Sequence, residues 1–326
     1  FDIQWSPDGT ALLMQRSDRL QQVREWLAVD PATGNQRVLW KETNPGGWIY
    51  YQWMPKLTGP KTLFTVEDNG FFNYAEIEWP SGKVTRLTQN RFDVGPVVHQ
   101  TENDLFYLAG SGPHPHQMQL HRFTRKDQRD VRLTDPQYHH AAWVSPDAKH
   151  VIVRRESVGH APDYQLISLV SRRGPVPLVP AKPEHQEATS RRRAFTYKSA
   201  DGLFDLQGTL DLPPGFDPNQ QYPLIAQVYN GPETIGVSPS WSAADGLTGF
   251  GCIVAKLESR GGMGRGRAFR NAAYGKLGVA EIDDLAAGIR AAVKLGFVDP
   301  QRVGIEGTSY GGYAAAMAVL RHPDVF

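Results

Sequence analysis

The chain has 326 residues, 40% of them apolar and 10% aromatic, and a formal charge of +1 from 35 basic and 34 acidic side chains. This length and composition fit two globular domains and exclude a disordered chain, and the balanced charge argues against nucleic acid or an anionic membrane as partner. A single cysteine, Cys252, precludes an intrachain disulfide and sits in an apolar run that marks it as a buried strand residue; no run of about 18 apolar residues offers a membrane-spanning helix.

The first half repeats. Trp5-Ser6-Pro7-Asp8-Gly9 returns at Trp53 and again at Trp143-Val144-Ser145-Pro146-Asp147, intervals of 48 and 90 residues. Leu39, Leu87, Leu133 and Leu178 each end a β-type run after a turn, and they fall 48, 46 and 45 residues apart. Between them lie short β-type runs at 11–15, 62–66, 104–108 and 150–154, with partners such as 75–79 and 165–169. Four short strands in about 45 residues is the signature of a β-propeller blade, and the Ser-Pro-Asp-Gly turn joins two of its strands. About four blades are expected over residues 1–185, with further blades before Phe1; the period disfavours an irregular β-sandwich. Histidines cluster here, and His114-Pro115-His116 lies in a Gly-Pro-rich loop. Its spacing matches no zinc pattern, so solvated loop histidines and no metal are expected.

The Pro-rich stretch 175–184 is the expected boundary to a second domain over 186–326. The basic run Arg191-Arg192-Arg193 reads as a solvated face with no nucleic-acid role. Strands are expected at 194–198 and 205–212 around the turn Ser199–Gly202, at 222–229 and at 251–257. The third runs into Asn230-Gly231-Pro232-Glu233. A helix over 280–295 places Ile282, Leu285, Ile289 and Val293 on one stripe, with acids early and Lys294 late. Phe297–Pro300 closes it. Asp283 and Asp284 read as charges complementing the helix start.

Next comes a strand at 302–306, the turn Gly307-Thr308-Ser309-Tyr310-Gly311-Gly312, and a helix-forming run from Tyr313 to Leu320. Strand, Gly-flanked turn and helix form a nucleophile elbow, which aims a serine hydroxyl outward from the top of a sheet. Ser309 is therefore the candidate nucleophile. A side chain at Gly307 or Gly311 is expected to collide across the turn. An acyl-transfer site needs donors for its oxyanion: the backbone N–H of Tyr310, after the nucleophile, and the phenol of Tyr229 at the end of the third strand are the candidates. His322, the histidine after Ser309, sits on the following helix and is rejected as the base. In this fold class the acid and the histidine follow the serine, so both are expected beyond Phe326.

The run Val228–Pro232, then Ser259–Gly262, Gly275–Gly278 with Glu281, Asp283 and Asp284, then Phe297–Pro300 and the elbow Gly307–Tyr313, resembles the prolyl oligopeptidase family, most closely its dipeptidyl peptidase IV branch. The likeness covers nearly the whole chain and is sharpest over 220–320. It implies a partial β-propeller followed by a partial α/β-hydrolase domain, within an internal segment of a longer protein. It implies a serine peptidase releasing N-terminal Xaa-Pro or Xaa-Ala dipeptides, with Ser309 as nucleophile and Tyr229 and the Tyr310 amide as oxyanion donors. The Tyr310 ring would line the proline-sized pocket. Peptides are the partners it implies, a homodimer the assembly it allows, a periplasmic or secreted setting is favoured over a cytoplasmic one, and no cofactor is needed. The paired glutamates with which the branch binds a substrate amine have no counterpart in 1–326. Acylaminoacyl peptidases and prolyl endopeptidases share the elbow and stay open as alternatives. From another class, a non-catalytic propeller scaffold is the remaining alternative.

Overall fold

The computed structural model describes residues 2–50, 52, 54–171, 173–185 and 191–326. Four small sheets follow one another along the first half, each an antiparallel meander in chain order. The first holds β1 (Asp2–Trp5), β2 (Leu12–Ser17), β3 (Val23–Val29) and β4 (Gln36–Thr43). The second holds β5 (Lys61–Val66), β6 (Asn73–Glu78) and β7 (Val84–Arg86). The third holds β8 (Val94–Gln100), β9 (Asp104–Gly110), β10 (Met118–Thr124) and β11 (Arg129–Arg132). The fourth holds β12 (His139–Val144), β13 (His150–Ser157), β14 (His160–Ser168) and β15 (Val176–Val179). Leu39, Leu87, Leu133 and Leu178 lie on, or one residue beyond, the last strand of each sheet, so the period of the sequence is the period of the sheets. The marker Trp53 lies outside the described residues.

Strand β9 shows how the sheets join. Successive side chains point to opposite faces. Leu105, Tyr107 and Ala109 pack with Phe72 and Tyr74 on the side of the second sheet, whereas Phe106 and Leu108 pack with Ala142, Val151 and Val153 on the side of the fourth. Trp26 and Trp40 likewise meet Phe64 between the first and second sheets. Each sheet thus packs against its neighbour in sequence, and the third buries both faces, one against the second and one against the fourth. None of them closes on itself among the described residues.

The Ser-Pro-Asp turn works as its chemistry predicts. Asp8 accepts from the Ser6 hydroxyl at 2.7 Å and from the Thr10 N–H at 3.1 Å, while the Ala11 N–H donates back to the Ser6 hydroxyl at 3.0 Å. Ser145 and Asp147 repeat the pattern before β13. So do Ser199 and Asp201 in the second half.

At the join, Val176–Val179 of the Pro-rich stretch pairs with β14 as the edge strand of the fourth sheet, a place that tolerates proline. One expectation here needs correction. The run Arg191–Arg193 is not uniformly solvated: Arg192 is buried, with its guanidinium nitrogen 3.0 Å from the Asp211 carboxylate. The expected boundary at 185/186 abuts residues 186–190, which lie outside the described residues.

The second half builds one mixed sheet from β16 (Arg192–Lys198), β17 (Asp205–Asp211), β18 (Tyr222–Gln227), β19 (Ile253–Leu257) and β20 (Val298–Glu306), in the spatial order β16-β17-β19-β18-β20. β16, β17 and β19 pair antiparallel, whereas β18 pairs parallel with both β19 and β20. A 3-10 helix (Gly246–Phe250) precedes β19, and the α-helices α1 (Gly266–Asn271), α2 (Ala280–Val293) and α3 (Tyr310–Arg321) accompany the sheet. The stripe read from the sequence is the buried one, with Ile282, Leu285 and Ile289 packed among Leu210, Leu224, Ile253 and Leu257. Val298–Pro300 opens β20 instead of closing the helix: Val298 pairs with Tyr222 and a register shift follows. Cys252 is buried just before β19, its thiol 3.2 Å from the Leu247 carbonyl, and burial pushes the thiol up from its ordinary range.

Candidate active site

β20 ends at Glu306 and α3 begins at Tyr310, so the whole reversal is made by Gly307, Thr308 and Ser309. Ser309 takes φ 57° and ψ −121°, a conformation that costs a residue with a side chain roughly 1–3 kcal/mol. The glycines explain how the chain fits. A Cβ on Gly307 would stand 2.4 Å from the Val228 carbonyl oxygen and 2.6 Å from the Gly311 backbone, and one on Gly311 would stand 2.2 Å from the same Val228 oxygen. Close approach of β18, elbow and helix leaves no room for either, as the sequence implied. Ser309 itself is exposed. Its hydroxyl stands at the N-terminus of α3, where the helix dipole favours developing negative charge.

Both expected oxyanion donors flank this serine. The Tyr310 N–H is the first of α3, and a first-turn N–H has no acceptor within its helix. The Val228 N–H donates to the Glu306 carbonyl at 2.9 Å, which ties the end of β18 to the end of β20 and brings Tyr229 beside the elbow. The Tyr229 ring is 48% exposed and lies 6.2 Å from the Tyr310 ring, centroid to centroid. Gly231 permits this approach, since a Cβ there would stand 2.8 Å from the Tyr229 ring and 3.3 Å from that of Tyr310.

Two supporting residues carried no role in the sequence reading. The Tyr310 hydroxyl donates to Glu281 at 2.7 Å, and the same carboxylate oxygen accepts the Gly278 N–H. Glu281 is fully buried, and its other oxygen has no partner among the described residues. Burial first, and the Glu281 carboxylate second, push the Tyr310 phenol well above its ordinary range, so it stays a neutral donor. Asn230 holds the other side at φ 50°, its amide donating to the Leu257 carbonyl and the Ser259 hydroxyl, each at 2.9 Å. An Asn after a strand and a Glu in a helix's first turn are common patterns, and only their three-dimensional partners single them out.

The acids at the start of α2 do more than complement a dipole. Asp284, fully buried, accepts from the Arg260 side chain twice at 2.8 Å and from the N–H groups of Arg260 and Ala200 at 2.9 and 2.8 Å. Asp283 meets Arg321 and lies 2.8 Å from the His322 ring nitrogen. His322 caps the far end of α3, about 18 Å of helix from Ser309, so its pairing with Asp283 forms no triad with that serine.

The histidine loop is also not solvated. His116 is 3% exposed, with its ring nitrogen 3.3 Å from Glu258 at the end of β19, and Arg265 holds the other oxygen of Glu258 at 2.8 Å. Burial, followed by repulsion from His116, lowers the pKa of His114 to about 4. These side chains belong to the contact between the third small sheet and the mixed sheet.

Stacked antiparallel sheets followed by a mixed α/β sheet, with a strained serine on a strand-to-helix turn, define the propeller-plus-hydrolase class. The comparisons agree. Residues 1–162 match the dipeptidyl peptidase IV N-terminal region, and residues 240–326 match the prolyl oligopeptidase family. The chain is similar to prolyl endopeptidase FAP of Mus musculus, 36% identical over 40% of this chain and 17% of that protein. It is also similar to a probable dipeptidyl peptidase 4 of Emericella nidulans, 24% identical over 96% of this chain and 43% of that one. The crystal structure of Porphyromonas gingivalis dipeptidyl peptidase 4 superposes with a TM-score of 0.81 at 22% identity, covering 99% of this chain and 47% of that chain, and so shares the fold. The chain belongs to the prolyl oligopeptidase family, in its dipeptidyl peptidase IV branch. It spans less than half the length of these relatives.

Proposed function

We propose that this chain carries the nucleophile and the oxyanion donors of a serine peptidase that releases N-terminal Xaa-Pro or Xaa-Ala dipeptides. The observation that carries the reading is the exposed Ser309 at φ 57°, followed directly by the Tyr310 N–H, with the Tyr229 ring 6.2 Å from the Tyr310 ring. The Ser309 hydroxyl attacks the scissile carbonyl carbon and a histidine from the longer protein takes its proton. The oxyanion is held by the Tyr310 amide and the Tyr229 phenol, and the C–N bond breaks as the histidine returns the proton to the leaving amine. Water then releases the dipeptide from the acyl-enzyme by the same route. The Tyr310 ring, tethered through its hydroxyl to Glu281, forms one wall of a proline-sized pocket.

On this reading the four small sheets are four propeller blades within residues 1–185, and 186–326 is the first part of the catalytic domain. Prolyl endopeptidase activity is the second reading, supported by likeness to a relative that bears that name. In the full-length protein a fluorophosphonate is expected to label Ser309, with labelling abolished in Ser309→Ala. A folded, full-length protein that takes no label would sink the proposal. Rapid cleavage of Xaa-Pro substrates that ceases when their N-terminus is blocked separates the dipeptidyl from the endopeptidase reading.

A further inference from the structure

The loop that carries Tyr229 is braced from behind by charges drawn from both halves of the chain. Arg24, Glu42 and Glu67 come from the first two small sheets and their flanks; Glu233, Arg267 and Arg270 come from the second half. Arg24 meets Glu42 at 2.6 Å, Arg267 meets Glu42 at 3.6 Å and Glu67 at 3.2 Å, and Arg270 meets Glu67 at 2.5 Å. Arg270 is 1% exposed and Glu67 2%, and the guanidinium also stands 5.1 Å from the centre of the Phe72 ring. Burying a charge is costly unless opposite charges or hydrogen bonds meet it. Glu233 adds a third carboxylate, with one oxygen buried and without a hydrogen-bond partner among the described residues. Burial raises its carboxyl above the usual range, while the charge of Arg270 opposes that effect and that of Glu67 adds to it.

A backbone chain links this cluster to the oxyanion loop. In α1 the Phe269 carbonyl, next to Arg270, accepts the Gly261 N–H at 3.0 Å; the Gly261 carbonyl accepts the Glu233 N–H at 2.9 Å; and the Thr234 carbonyl accepts the Met263 N–H at 3.0 Å. Glu233 sits at φ 59°, a left-handed conformation that the surroundings must hold in place. α1 is in turn fixed to the first half, where Asp93 accepts the Gly266 N–H at 3.0 Å and the Gly70 carbonyl accepts the Arg267 N–H at 2.7 Å.

We propose that Arg270 is a positioning residue: clamped by Glu67 of the second small sheet, it holds the Tyr229–Thr234 loop so that the Tyr229 phenol faces Ser309. The first half of the chain thereby sets the oxyanion geometry of the second. This rests on the reading of Ser309 and Tyr229 given above.

The test is the rate at which a fluorophosphonate labels Ser309 in the full-length protein. Arg270→Met is expected to lower the maximal labelling rate at least about tenfold, with little change in the half-saturating probe concentration and with a native circular dichroism spectrum. Arg270→Lys is expected to recover part of the rate, as is Glu67→Gln added to Arg270→Met, since it removes a buried carboxylate left with Arg267 alone. A folded Arg270→Met protein labelled within about twofold of wild type would overturn the proposal. Should Arg270→Met fail to fold, the isosteric Glu67→Gln decides: a slowing of about threefold or more supports the clamp, and an unchanged rate refutes it. A wild-type protein that is not labelled defeats the assignment of Ser309 itself, whereas a labelled wild type with an indifferent Arg270 defeats only the clamp.

Discussion

The serine–aspartate turns close with the same hydrogen bonds in both halves of the chain, at Ser6–Asp8 and Ser145–Asp147 in one and Ser199–Asp201 in the other, yet a glycine at such a turn and a glycine at the elbow meet different surroundings. Gly9, in the first half, follows its turn at φ 72° with open space around it. Gly307 and Gly311, in the second, are pressed against backbone on the far side of the elbow. One glycine answers to local conformation, and the other two answer to strands that arrive from more than 70 residues away. A turn in open space can therefore tolerate drift, while the elbow is fixed by everything that meets there.

That contrast can be broken most directly at the glycines. Gly311→Ala drives a methyl to 2.2 Å from the Val228 carbonyl oxygen, so a loss of more than about 3 kcal/mol in denaturant unfolding is expected, together with loss of labelling at Ser309. Gly9→Ala meets no atom within 4 Å and is expected to cost only the left-handed conformation, about 1–2 kcal/mol, with labelling intact. Equal losses at the two positions would erase the distinction.

Buried charge offers a second comparison, of comparable size. Asp284→Asn, on the buried face of α2, leaves the guanidinium of Arg260 with only the more exposed Asp201 as a charged partner and is expected to cost about 3 kcal/mol by equilibrium unfolding. Cutting the Arg260 side chain to Met in the same variant should recover part of that loss. A single Asp284→Asn variant as stable as wild type would show that the pair is not needed.

The smallest effect expected is one of pH. The pKa of His114 is lowered to about 4 by burial and by His116, and Glu258, Arg265 and His139 are the other charges that act on it. The folded state therefore prefers the neutral imidazole. Its contribution is fully present above the ordinary histidine range near pH 6.5 and is lost as the pH falls toward about 4. A melting temperature that declines over that window, with a shallower decline in His114→Gln by about 1 kcal/mol, is the expected outcome. Identical slopes for the two proteins would remove His114 from the contact between the halves.

Much of this molecule is written locally in its sequence. The spacing of Leu39, Leu87, Leu133 and Leu178 marks the sheets because each repeat is one meander whose hydrogen bonds are made with its chain neighbours. The stripe Ile282, Leu285 and Ile289 marks its helix because 3.6-residue periodicity is set within a single element. Ser309 is legible because the elbow is a contiguous turn whose glycines stand beside it. The histidine loop, Arg192, Asp284 and Glu281 were not legible, since each takes its character from a residue far away in the chain: Glu258, Asp211, Arg260 and Tyr310. By itself the sequence determined the period, the elbow and the residue at its apex, where short-range geometry suffices. Only the tertiary structure decided which charges are buried, because burial and pairing depend on which distant segments the fold presses together, and it is there that Arg270 comes to stand between Glu67 and the loop that carries Tyr229.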